Sequence, residues 1–168
     1  STLVTGDTNG AYDVFVRDLD AGTTERVSVS SAEEQGVGGS SGTPRITPDG
    51  RFVLFEAVAN NLVPGDTNGT NTDVFVRDQL AETTSRISVG SGDIESDRHS
   101  GRPSISVDGR YVAFRSQADL IAKDTNGAAD VYVRDLVNHS TGLVSVASGG
   151  ADSNGPSAHP DVSATGRY

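Results

Sequence analysis

Apolar and polar residues alternate with a period of two in short runs along this chain, and no segment sustains the 3.6-residue period of a helix. The pattern is clearest in the middle. Pro103-Ser104-Ile105-Ser106 is a short run of strand character, followed by Val107-Asp108-Gly109, a hairpin turn in which the glycine supplies positive φ. Residues 110–116 resume the alternation. Residues 130–136 and 143–147 predict a third and a fourth strand, joined by a polar turn at 138–141. The unit therefore reads as four antiparallel strands.

That unit recurs. Asp7-Thr8-Asn9-Gly10 returns as Asp66-Thr67-Asn68-Gly69 and as Asp124-Thr125-Asn126-Gly127, at steps of 59 and 58 residues. After each comes the same strand, Asp-Val-Phe/Tyr-Val-Arg-Asp, starting at Asp13, Asp73 and Asp130. A second strand follows as Arg26-Val27-Ser28-Val29, Arg86-Ile87-Ser88-Val89 and Leu143-Val144-Ser145-Val146. A closing motif begins at Pro44, Pro103 and Pro160 and carries Asp/Thr-Gly-Arg-Phe/Tyr. The repeat units span roughly 7–65, 66–123 and 124–168. Four antiparallel strands in a repeat of this size predict an all-β chain of β-propeller blades, forming a single propeller segment over residues 1–168. The motif Pro-x-Ile-Ser/Thr-x-Asp-Gly-Arg-Tyr/Phe-Val, with the following Asp-Val-Phe/Tyr-Val-Arg-Asp, resembles the TolB-like propeller repeats of bacterial envelope and secreted proteins. The resemblance covers essentially the whole chain. It implies a binding platform, a partner scaffold or a gate to another domain, placed extracellularly or in the cell envelope.

The repeats are out of phase with the chain ends. Residues 44–90 and 103–147 each supply a whole blade. A third is split, with its first strand near 160–163 and its third and fourth strands at 13–19 and 25–30, and sharing it between the termini is the expected closure of a ring. The counterpart of residues 112–117 is missing from the split blade. Propellers typically hold four to eight blades, so three blades predict either a fragment of a longer propeller or a homo-oligomeric ring, with six blades in total favoured. The missing strand would then come from the longer chain or, by strand addition, from a second copy. The opening at Ser1, without Met, suggests a chain processed or cut from a longer one.

Composition narrows the partners. With 23 acidic against 13 basic residues the formal charge is −10, which disfavours nucleic acid and anionic lipid. Cysteine is absent, which rules out disulfides and thiolate metal sites, and no apolar run approaches the ~20 residues of a spanning helix, so no membrane insertion is expected. Protein or glycan partners on the inter-blade-loop face, near residues 31–43, 91–102 and 148–159, fit this surface better.

The acidic surface suits cations instead, and the loops Asp-x-Asn-Gly-x-x-Asp offer a site for one. Calcium takes six to eight oxygens from carboxylates, amides, backbone and water. The candidate ligands are Asp7, Asn9 and Asp13; Asp66, Asn68 and Asp73; and Asp124, Asn126 and Asp130. The pattern looks like the middle of the acidic loops of calcium-binding propellers but lacks their first carboxylate, with Thr5, Pro64 and Ala122 standing there. One extra residue lies among Thr70-Asn71-Thr72 in the second loop. The competing reading is a bare Asx-turn; repulsion between Asp7 and Asp13 across a tight loop favours calcium. His99, His139 and His159 read as loop residues without ligand spacing, and no nucleophile elbow is present, so no catalytic role is expected. Arg17, Arg77 and Arg134 recur in every unit and read as inter-blade or turn pairing. A polysaccharide-processing or glycan-binding propeller and a subunit of a surface assembly remain as alternatives.

Overall fold

The computed structural model describes residues 3–168, which form ten strands and no helix: β1 (Phe15–Asp18), β2 (Thr23–Arg26), β3 (Ser41–Ile46), β4 (Phe52–Ala57), β5 (Asp73–Asp78), β6 (Thr83–Arg86), β7 (Ser100–Ile105), β8 (Tyr111–Ser116), β9 (Asp130–Asp135) and β10 (Ser140–Leu143). They make two four-stranded meanders, β3-β4-β5-β6 and β7-β8-β9-β10, and the two-stranded sheet β1-β2. All neighbours are antiparallel, and the two meanders share one register: Phe52 faces Asp78 and Ala57 faces Asp73, as Tyr111 faces Asp135 and Ser116 faces Asp130.

The middle strand of a blade is apolar on both faces because a neighbouring blade covers each face. Along β4, Val53, Phe55 and Ala57 enter a cluster with Val14, Val27 and Phe75, between the half-blade and the first meander. Leu54, between them in sequence, enters the second cluster with Val74, Val112, Phe114 and Tyr132. This is the period of two at work, one side chain to each neighbour. The Asp-Gly-Arg-aromatic motif also joins blades. Phe52 lies against Gly109 of the next hairpin turn, where φ is +73° and an added Cβ would meet the ring at 2.3 Å. Arg77 and Arg134, both buried, reach back to Ser30 and Gly90 and to Glu33 and Asp93 of the preceding unit, as inter-blade pairing requires.

Three differences from the sequence expectation have local causes. The first strands begin earlier than Pro44 and Pro103 because those prolines sit in bulges, between Gly42 and Arg45 and between Gly101 and Ser104, where a missing N–H costs no ladder bond. The fourth strands end at Arg26, Arg86 and Leu143 rather than running through the Val-Ser-Val segments. Val27 N–H still donates to Val14 C=O at 2.9 Å, but the hydroxyl oxygen of Ser28 then accepts from Val14 N–H at 3.0 Å, in place of a backbone carbonyl. Ser88 and Ser145 do the same to Val74 and Val131. A side-chain acceptor releases the strand from the ladder. Finally, residues 160–168 form the hairpin turn (Ser163 N–H to Tyr168 C=O, 2.6 Å) but no strand, and they lie beside β7 through Ser104 and Asp161. In a meander the first strand reaches the third only through the second, and β1 pairs with β2 alone. Among the described residues the split blade therefore lacks its second strand, as the missing counterpart of residues 112–117 predicts.

Candidate metal centre

Each Asp-Thr-Asn-Gly loop folds against the inter-blade loop that follows the fourth strand of its own unit, as the strand topology predicts. Thr8 N–H donates to Gln35 Oε1 at 3.1 Å, Thr67 N–H to Glu95 Oε1 at 3.0 Å and Thr125 N–H to Asp152 Oδ2 at 2.9 Å. The asparagine amide ties the same loops, Asn9 to Gly36 C=O, Asn68 to Ser96 C=O and Asn126 to Ser153 C=O. In the second loop the extra residue is absorbed by Asn71, which donates to Asn68 C=O and Asp97 C=O. The returning aspartates are anchored by the strand serines: Ser28, Ser88 and Ser145 donate to Asp13, Asp73 and Asp130 at 2.8, 2.6 and 2.6 Å.

The predicted residues converge, with the asparagines differently employed. Asn68 and Asn126 turn Nδ2, a donor, toward Asp73 and Asp130 at 2.7 and 2.8 Å. Asn9 and Asn126 spend Oδ1 on Ala11 N–H and Ala128 N–H, the Asx-turn. Asn68 and Asn126 therefore clamp a carboxylate, Asn9 and Asn126 use the amide oxygen within the loop, and Asn68 Oδ1 is buried without a hydrogen-bond partner. A third carboxylate joins in two loops. Asp66, Asp73 and Glu95 form one cluster and Asp124, Asp130 and Asp152 another, each with carboxylate oxygens within 4.8 Å of one another.

Burial makes these charges expensive. It is the main cause that lifts Asp66 to about 6, with Asp73 and Glu95 adding repulsion against the pull of Arg86. Burial also raises Asp73 and Asp124. Glu95 moves the other way: burial acts to raise it, but donation from Thr67 and the charge of Arg86 outweigh that. In the third loop the single hydroxyl proton of Tyr132 is shared between Asp124 and, at 3.0 Å, Ala118 C=O, and the ionisation of Tyr132 is pushed up by burial first and by that carboxylate second.

Comparison with known proteins adds the fold. No family model and no curated protein matches the chain. Among solved structures it is similar to TolB from Acinetobacter baumannii (22% identity over 92% of this chain, TM-score 0.49) and to a TolB-type protein from Agrobacterium tumefaciens (17% over 78%, TM-score 0.48). The tricorn protease matches over 74% of the chain at 13% identity, TM-score 0.50. The chain spans 30%, 40% and 12% of those three structures. The fold is a run of β-propeller blades.

On that propeller, Gln35, Glu95 and Asp152 are site residues that lie outside the Asp-x-Asn-Gly motif. A signal for them exists: each stands nine residues after Arg26, Arg86 or Leu143 and forms an isolated bridge with Val29, Val89 or Val146. No acidic residue stands two positions before Asp7, Asp66 or Asp124, and in the second and third units the extra carboxylate comes instead from a second loop. The histidines have structural occupations. His99 Nδ1 accepts from Thr72 N–H at 2.9 Å, His139 lies 4.0 Å from Asp93, and His159 meets Arg102.

Proposed function

We propose that the chain is a non-catalytic propeller module, outside the cell or in the cell envelope, that presents its inter-blade-loop face to a protein or glycan and uses calcium to brace that face. The observation that carries this reading is the set of buried carboxylates beneath the face, which join the Asp-Thr-Asn-Gly loop to the inter-blade loop. An ion held there would fix the outline of the surface a partner meets. The net charge of −10 is in keeping with a protein tuned to cations. The test is a melting curve. A cation that binds only the folded state raises the midpoint, so millimolar calcium should give a higher midpoint than chelator, and equal midpoints would reduce the loops to bare turns.

A second reading rests on a groove beside β3 and β7. Arg45, Arg102, His159 and Asp161 line a groove of about 500 Å³, and a cationic pair there suits an acidic glycan. Binding of acidic oligosaccharides that disappears in Arg102→Ala would favour this reading.

A further inference from the structure

We infer that the third loop alone is a divalent-cation site, and that the first two loops already hold an arginine in the place of the ion. The inference rests on the calcium reading above and narrows it to one of three sites.

The three loops differ at one strand position. In the first, Arg26 Nη1 stands 3.5 Å from Asp7 and 3.7 Å from Asp13. In the second, Arg86 Nη1 stands 3.5 Å from Asp66 and 3.9 Å from Asp73, and pairs with Glu95. Both arginines are largely buried, so the guanidinium lies among the carboxylates rather than over them. The matching residue of the third unit is Leu143, which packs on the apolar cluster between the meanders. Formal charge follows: the first loop carries two carboxylates, the second three, each with one guanidinium, and the third carries three carboxylates and no arginine. Among the described residues no ion pair reaches Asp124, Asp130 or Asp152; Lys123, next along the chain, is exposed.

An independent observation points the same way. Asp124 is buried, and its Oδ1 has no hydrogen-bond partner. The neutral donors of the loop are spent elsewhere: Tyr132 on Asp124 Oδ2, Ser145 and Ser153 on Asp130 Oδ1, Asn126 Nδ2 on Asp130 and Asp152, and the Thr125 and Asn126 amides on Asp152. Asp66 Oδ1 also lacks a hydrogen bond, but Arg86 answers its charge. A buried carboxylate oxygen with neither donor nor counter-charge is costly. Carboxylate oxygens within 4.8 Å of one another suit calcium, whose oxygens at 2.3–2.6 Å stand about 5 Å apart across the ion. In the first two loops the repulsion between aspartates is answered by the chain itself.

Calorimetric titration of the whole chain with calcium should show one equivalent. Three equivalents would overturn the inference and leave the calcium reading intact; none would overturn both. Leu143→Arg rebuilds the second loop's arrangement in the third, and should weaken calcium binding at least about tenfold while holding its melting midpoint in chelator. Arg86→Leu should add a second equivalent. Wild-type affinity in a folded Leu143→Arg protein would sink the assignment. Terbium gives a check that needs no charge change. Tyr132 touches Asp124, whereas phenylalanines Phe15 and Phe75 hold that position in the other loops, so tyrosine-sensitised terbium emission should vanish in Tyr132→Phe. Emission surviving in that variant would place the ion elsewhere.

Discussion

The two complete meanders have the same strands, the same register and the same bulges, yet they solve one problem in opposite ways. Around the β5 end of the first, three acidic side chains surround Arg86, and Phe75 below them is purely apolar, stacked on Phe55 with centroids 5.7 Å apart. Around the β9 end of the second, three acidic side chains have no guanidinium, and Tyr132 below them stacks on Phe114 at 5.9 Å while its hydroxyl reaches up to Asp124. The repeated residues carry the blade. The two exchanged ones, Phe75 for Tyr132 and Arg86 for Leu143, carry the difference between a self-neutralised loop and one that invites a cation.

Removing the aromatic body tests the comparison most severely. Both rings are fully buried, and deleting such a ring costs about 3–5 kcal/mol. Tyr132→Ala should cost more than Phe75→Ala, because it also strips the hydroxyl donor shared by Ala118 C=O and Asp124; Tyr132→Phe, which removes only that donor, should cost about 1–2 kcal/mol. Denaturant unfolding of the three variants checks this order. Equal losses for the two alanine variants would erase the distinction between the blades.

Acid–base behaviour sharpens the comparison at an intermediate scale. Asp66 titrates at about 6 in the folded chain against 3.8 when unexceptional. A raised carboxyl binds its proton more tightly when folded, so its contribution to stability is fully present below about 3.8 and is lost as pH rises through about 6. Asp66→Asn should therefore stabilise at pH 7 by roughly 1–2 kcal/mol, less than the full shift implies because water reaches part of the group, and should give no gain near pH 3.5. Melting midpoints across that range read the sign directly. A loss at pH 7 would mean that the pairing of Asp66 with Arg86 outweighs its burial.

How much of this was legible in the sequence follows from where each interaction lies. The blade was legible because its determinants are local and repeated: the short apolar runs along residues 52–57 and 111–116, and the hairpin glycines. The loop carboxylates Asp7, Asp13, Asp66, Asp73, Asp124 and Asp130 were legible from one motif. Glu95 and Asp152 were not, because each meets its partners across 26 to 28 residues through a second loop. The guanidinium of Arg86 was hidden for a different reason. Arg26 and Arg86 open the fourth-strand motif, far along the chain from the acidic loop, and only the third dimension brings them to the candidate site.

The smallest effect concerns the ion pairs on the opposite face, where the meanders ought not to differ at all. Arg51 reaches Asp78 through Nε and Nη2, at 3.1 and 2.7 Å to the nearest oxygens. Arg110 reaches Asp135 in the same way at 3.1 and 2.8 Å. Each guanidinium also lies over the next aromatic ring, Phe52 at 4.6 Å and Tyr111 at 4.8 Å. Donation from the arginine is the main cause that holds both aspartates below the usual carboxylate range. A depressed carboxyl contributes stability that is present above its unfolded value and lost as pH falls through the folded one, so both pairs should matter at pH 7 and fade in acid. These arginines are substantially solvent-exposed, and exposed pairs contribute little to stability. Arg51→Ala and Arg110→Ala should therefore each lower stability only slightly, by similar amounts, with both losses screened by salt. Urea unfolding at low and high salt measures them. A loss confined to Arg110→Ala would show that the second meander differs from the first beyond its acidic loop, and that the exchange at Tyr132 and Leu143 is felt at both ends of the blade.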